Sequence, residues 1–128
     1  MIKSIVPVVP VTKIEPTLEV LAKVGFTLNW VHDPAGRNVR YGSVSHPDGH
    51  EIHLSESRGD GIGPVVVYFW SDNVDELAKQ AGTTAEDQTW HTREFWLKDT
   101  DGNSFRFGQR LDCFRKFHIL IFHEKRKY

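Results

Sequence analysis

Two stretches of this chain are copies of one pattern. "PDGHEIHLSE" at 47–56 and "TDGNSFRFGQ" at 100–109 each carry Asp-Gly, then two residues, then an apolar, a polar and an apolar position. Asp-Gly is a tight-turn signal, and the alternation after it reads as a strand with one face buried. A repeat at this spacing means one supersecondary unit used twice. The segments upstream agree: "IVPVVPV" and "PVVVYFW" are Val-rich strand candidates, and each precedes a helix-like segment that stops at glycine. The first helix is predicted over Glu15–Val24, with Leu18, Leu21 and Ala22 on one face and Gly25 as the stop. The second is predicted over Val74–Ala81, opened by Asn73 as N-cap and closed by Gly82.

The remaining segments supply further strands. In the first half "TLNWVHD" and "VRYGSVSH" flank the turn signal "PAGR"; in the second, "TAEDQTW" is a weak strand and "REFWLKD" a strong one. The expected fold is α+β, two βαβββ repeats forming curved mixed sheets with the helices on the convex side. Repeat one covers about 4–57, repeat two about 64–110, and "SRGDGIG" links them. They make a single domain over 1–110, followed by a basic tail at 111–128.

Composition narrows the class. A length of 128 residues suits one domain, and eight Phe, four Trp and three Tyr provide enough apolar area for a core. Cys113 is the single cysteine, so neither an internal disulfide nor a thiolate zinc cluster is expected, which fits a reducing, cytoplasmic setting. No stretch reaches 18 apolar residues, and Pro7 and Pro10 break the N-terminal apolar run, so no membrane segment or signal peptide is expected. Residues 1–110 carry eleven Lys and Arg against fifteen Asp and Glu, a net of −4; the tail carries five against two, a net of +3. The acidic body lacks the clustered cations that a nucleic-acid partner requires.

The aromatic residues hold the most functional information. Alternation in "PVVVYFW" places Val66, Tyr68 and Trp70 on one face and Val65, Val67 and Phe69 on the other. Trp30 and Trp96 lie in strand candidates. Trp90 sits in the polar segment "EDQTWHT", where no core periodicity explains it. Nucleophilic chemistry finds no support, because Cys113 lies in the tail beside no histidine and there is no Gly-x-Ser-x-Gly elbow or phosphate loop. Glu94 and Asp99 read as solvated or paired surface carboxylates. His50 and His53 are three apart on a strand and face opposite sides, so they do not chelate jointly. His53 reads as a groove-wall or core residue, and His91 gains interest from its neighbour Trp90.

Four stretches, "SIVPVVPV", "VGFTLNWVHD", "VYFWSDNVDEL" and "TWHTREFWLKDTDGNSFRFG", together with the two-unit pattern over 4–110, resemble the vicinal oxygen chelate superfamily of glyoxalases, extradiol dioxygenases and antibiotic resistance proteins. Within it the resemblance is to the bleomycin resistance proteins, and the "TW" before "HTREF" is its more particular mark. The segment "AKQAGTTAEDQTWHT" is shorter than in those relatives. Enzymes of the superfamily hold a divalent metal at four positions, which correspond here to Val6, His53, Val66 and Arg106. Only His53 among them has a ligating side chain, so neither a metal nor another cofactor is expected and no catalytic residue is assigned.

The resemblance implies a homodimer that binds a flat, cationic small molecule, such as a bleomycin-type glycopeptide, and confers resistance by sequestration. It assigns Trp90 as stacking platform, with Trp30, Tyr68 and Asp33 in the groove; Trp70 joins them on strand alternation, and His91 and His53 complete the ligand-binding set. The rival readings are a metal-dependent glyoxalase- or dioxygenase-like enzyme and a module whose basic tail recruits a partner.

Overall fold

The computed structural model describes residues 1–34 and 39–111. The elements in chain order are β1 (Val8–Pro10), α1 (Ile14–Ala22), β2 (Thr27–His32), β3 (Tyr41–Ser45), β4 (Glu51–Ser55), a single 3-10 turn (Arg58–Asp60), β5 (Val66–Trp70), α2 (Val74–Gln80), β6 (Glu86–Asp87), β7 (Thr92–Lys98) and β8 (Ser104–Arg110). They make two four-stranded sheets of order β1-β4-β3-β2 and β5-β8-β7-β6. In both, the strand before the helix pairs with the last strand of its own repeat, which is the α+β fold of two βαβββ units expected from the sequence. In the first sheet β1 runs parallel to β4 with Val8 opposite His53, and the other pairs are antiparallel.

The compact units of the structure do not coincide with the repeats. Among the described residues, those up to Val67 together with Leu97–Phe105 form one unit; Tyr68–Trp96 and 106–111 form the other. The second Asp-Gly hairpin is thus bound to the first repeat, and the hydrogen bonds show how. Asp101 accepts from the Thr12 backbone N–H at 2.8 Å and its hydroxyl at 2.6 Å, and Asp99 accepts from the buried Thr17 hydroxyl at 2.7 Å. Asn103 donates to the Pro10 carbonyl and accepts from the Val65 N–H, both at 2.9 Å. Asp99 is therefore a buried, fully engaged group and not a surface carboxylate.

Helix α1 buries Ile14, Thr17 and Leu21, a spacing of three and four that keeps them on one stripe. Pro16 lies in the first turn, where no intrahelical N–H is needed. No side chain at Lys13 caps the helix; instead the Ile14 N–H donates to Glu56, whose carboxylate also holds Arg40. The helix ends at Ala22, two residues before the predicted end at Val24, because the following N–H groups turn back to Val20, Leu21 and Ala22 and Gly25 takes φ +104°. A methyl at Gly25 would lie 2.9 Å from the His46 ring, which bonds the Val24 carbonyl, so space and backbone both require glycine there.

In the second unit Asn73 caps α2 as expected, accepting from the Glu76 N–H at 3.3 Å, and Val74 and Ala78 face inward. Phe69, Phe107 and Phe95 stack at centroid separations of 4.5 and 4.8 Å, which places Phe69 on the interior side of β5 as alternation predicted. Of "TAEDQTW" only Glu86–Asp87 is strand; Gln88–His91 form a turn closed by bonds between Gln88 and Thr92 and between His91 and Gln88. That turn is why Trp90 fits no strand period. Among the described residues no helix is long and apolar enough to cross a membrane. Most of the "PAGR" turn, and the tail beyond Leu111 with Cys113, lie outside the described residues.

Candidate functional site

The second unit gathers three of its side chains around one carboxylate. Glu94 on β7 is only 2% exposed, and its Oε2 accepts from the Tyr68 hydroxyl at 2.5 Å, the Thr92 hydroxyl at 2.9 Å and the Trp90 indole N–H at 3.1 Å. Burial pushes the Glu94 carboxyl up, but these hydrogen bonds outweigh it and hold the group below the usual carboxylate range. Tyr68 is pushed the other way, chiefly by burial and then by the hydrogen bond to Glu94. The pair is thus a carboxylate and a neutral phenol. Its position depends on Gly108: a methyl there would sit 1.9 Å from the Tyr68 hydroxyl oxygen, so the ring crosses β8 only because that residue has no side chain.

Trp90 is bound at its edge yet largely exposed. The residue is 52% exposed although its indole N–H is engaged. His91 beside it holds φ +66°, a left-handed conformation uncommon for a residue with a Cβ, and its carbonyl accepts from Leu111. The turn therefore presents the indole in a fixed attitude. Along the same face Tyr68 meets Trp70 edge-on at 4.9 Å, the Arg110 guanidinium lies 4.4 Å over the Trp70 ring, and Arg106 lies 5.6 Å over Trp96.

The first unit carries a second aromatic cluster. Trp30 lies parallel to Tyr41 at 6.1 Å and edge-on to His53 at 5.4 Å. Tyr41 bonds His53 Nδ1 at 2.8 Å, and His53 Nε2 bonds Glu51 at 3.0 Å, while Glu51 also accepts from the buried Ser43 hydroxyl. These bonds from Ser43 and His53 hold Glu51 below the usual carboxylate range. Trp30 reaches this face through a bulge: the register slips between Leu28 and Trp30, so that Leu28 opposes Val44 but Trp30 opposes Ser43. An unbroken alternation would put Trp30 on the Leu28 side, so the extra residue, Asn29, re-aims it.

Of the residues the sequence singled out, Trp90, Tyr68 and Trp70 lie in the second unit, the first two on one carboxylate. Trp30 and His53 are in contact in the first. Asp33 is exposed just past the end of β2. Glu94 was expected at the surface and is instead the buried hub of the site, a correction that follows from non-local donors. Tyr41, Ser43, Glu51, Arg106 and Arg110 were not anticipated as contributors. The one signal for Glu94 was its alternation with Trp96 on β7, which put both on one face.

The positions that hold a metal in superfamily enzymes do not fit one here. Val6 and Val66 offer hydrocarbon, Arg106 a cation, and both nitrogens of His53 are bonded to Tyr41 and Glu51. Among the described residues no three His, Cys, Asp or Glu side chains are grouped to hold an ion.

No protein-family model matches the sequence, and no curated protein does. Solved structures match well. A bleomycin-binding protein complexed with bleomycin is 16% identical over 86% of this chain and 100% of its own, with a TM-score of 0.64. A bleomycin resistance determinant encoded on the transposon Tn5 is 16% identical over 85% of this chain and 98% of its own, with a TM-score of 0.64. A glyoxalase-related enzyme from Clostridium phytofermentans is 19% identical over 87% and 97%, with a TM-score of 0.65. With its paired βαβββ units, the chain has the fold of the glyoxalase/bleomycin resistance protein/dioxygenase superfamily, the vicinal oxygen chelate fold.

Proposed function

We propose that this protein binds a flat, cationic small molecule, of the kind represented by bleomycin-type glycopeptides, and acts by sequestering it without catalysis. One observation carries the reading: Trp90 is tied at its edge to a buried carboxylate while about half of the residue stays exposed. A core tryptophan would be covered, and a merely exposed one would have nothing to hold it. Held and open, an indole is a stacking platform, worth on the order of 1 to 3 kcal/mol per stacked ring by analogy with bases on aromatics. The bleomycin complex among the solved structures of this fold supports the ligand class.

The same reading includes a symmetric homodimer, supported by the large apolar residues Val66, Trp70 and Trp96 left exposed on sheet strands of the single chain. Light scattering at micromolar concentration should give twice the chain mass of 14.7 kDa; a monomer would remove the dimer from the proposal. The binding reading itself is tested by titrating the protein with bleomycin and following tryptophan fluorescence. Saturable quenching at about one site per chain supports it, and a flat titration refutes bleomycin as ligand.

A further inference from the structure

The first unit holds a cavity that shares no residue with either aromatic cluster. It has a volume of about 250 Å³ and lies where the parallel strands β1 and β4 end, at the Pro10–Ser55 pair, walled by the linker after β4 and by Asp101 of the second Asp-Gly hairpin. Its carboxylates are committed. Glu56, with a side chain only 2% exposed, holds Arg40 and the Ile14 N–H, and Asp101 gives one oxygen to each of the two Thr12 donors. Donors are left over. Among the described arginines, Arg40 and Arg93 are ion-paired and Arg106 and Arg110 lie over tryptophan rings, whereas Arg58 on the cavity wall is exposed with no ion pair, side-chain hydrogen bond or ring beneath it. The Ser57 hydroxyl and the Ile62 and Gly63 N–H groups of the same linker also bond to nothing among the described residues. Gly61 takes φ +119°, and a methyl at Gly63 would lie 3.0 Å from Asn103 Oδ1 and 3.3 Å from Pro10, so a glycine on each side of Ile62 holds the linker against the strand ends. Between them Ile62 is 79% exposed, an apolar side chain that the fold leaves uncovered beside the cavity.

We propose that this cavity is a second ligand site, one that takes a small organic oxyanion: a carboxylate or phosphate monoester with a short apolar body. Arg58 supplies the charge, and its planar fork of N–H donors matches the oxygens of either head group. Ser57 and the linker N–H groups are the further donors, and Pro10, Val11 and Ile62 provide apolar surface that a bare inorganic ion would leave uncovered. The charges that oppose an anion are those of Asp101, shared with Thr12, and of Asp60, which accepts from the Ser55 hydroxyl at 2.7 Å. Recognition therefore depends on Arg58 itself and not on the net charge of the region. A cationic ligand would meet that guanidinium and carboxylates whose oxygens already hold donors. The site has no residue in common with the Trp90 turn and its ligand has the opposite charge, so it stands or falls independently of the planar-ligand reading.

The test titrates the full chain calorimetrically with three probes. 3-Methylbutanoate and isobutyl phosphate carry the two head groups on similar branched bodies, and 3-methylbutanamide is the uncharged counterpart. At least one anion should bind wild type with a Kd of about a millimolar or below, and the amide at least about tenfold more weakly. The tighter anion names the head group. R58Q should lose about tenfold or more in affinity for that anion, and R58K, which keeps the charge without the fork, should fall between. K23Q makes the same charge change at the end of α1 and should bind as wild type does. Equal affinity for anion and amide, an affinity unchanged in R58Q, or an equal loss in K23Q would overturn the inference, as would no binding of either anion up to about 20 mM. If R58Q does not fold, R58K decides against wild type, and equal affinities in those two overturn the inference.

Discussion

The indole N–H of Trp90 and the carboxylate of Glu94 are joined at 3.1 Å across a turn closed by Gln88 and Thr92, so that a half-exposed ring is oriented by a buried charge. Neither residue explains the other's place alone. Without the turn the indole would not reach the carboxylate, and without the carboxylate the indole would have no fixed attitude. The relationship separates two roles for Trp90 that substitution can distinguish.

Trp90→Ala should weaken binding of a planar ligand by about 1 to 3 kcal/mol, roughly fivefold to more than a hundredfold, and lower stability by much less than the about 3 to 5 kcal/mol typical of a core tryptophan. Trp90→Phe keeps a ring face but loses the N–H to Glu94, and should fall between wild type and alanine. Binding and thermal melts on one preparation check both statements. A W90A protein that melts as a core mutant would assign the ring to packing.

Acid should unfold the protein through its engaged carboxylates. Glu94 and Glu51 are held below the usual range, and Glu15, paired with Arg40, is lowered to about 2. A depressed folded pKa contributes stability that is complete above the unfolded value of about 4.3 and is lost as pH falls through the folded one. The melting temperature should therefore drop steadily below about pH 4.3, and less steeply in E94Q. The alkaline side has the opposite sign: Tyr68 is raised, so its contribution is whole below about pH 10 and fades above it, and Tyr68→Phe should flatten that limb. Parallel wild-type and E94Q curves in acid would mean that Glu94 is not ionised in the fold.

The fold was legible because its evidence is periodic. Asp-Gly turns, alternation in "PVVVYFW" and the Asn73 cap are local signals, and each element they predicted is present. The site was half legible for the opposite reason. Trp90 stood out by failing every period, but Glu94 is made a hub by Tyr68, twenty-six positions away, and by a glycine on a third strand that gives the phenol room. Trp30 required a bulge that a strict two-residue period does not contain. Asp99 looked like a surface charge because its partner Thr17 lies on the first helix, in the other repeat. Burial of a carboxylate is decided by distant donors, and a single sequence gives no register for them.

The ligand set at the superfamily's metal positions predicts indifference to divalent ions. Two valines and an arginine leave His53 alone, and one imidazole bonded at both nitrogens does not hold an ion. Elemental analysis of protein purified without chelator should find well below one zinc, manganese, nickel or iron per chain, and added ions should leave the melting temperature unchanged. About one tightly bound ion per chain, with a matching rise in melting temperature, would restore the metal-dependent reading.

Gly108 gives the most local test of how the site is built. Nothing in its backbone calls for glycine, since it is absent from the residues with positive φ, and the requirement is purely one of space. A methyl there meets the Tyr68 hydroxyl oxygen and the ring carbons behind it, and the phenol cannot withdraw without breaking its bond to Glu94. Gly108→Ala should thus cost about 1 to 3 kcal/mol from overpacking and the loosened hydrogen bond. The double variant Tyr68→Phe with Gly108→Ala separates the two contributions. Removing the hydroxyl removes the closest clash, so the alanine should cost less in the Phe background than in wild type. A double-mutant cycle on melting free energies measures that difference, and strict additivity would show that Gly108 does not make room for Tyr68.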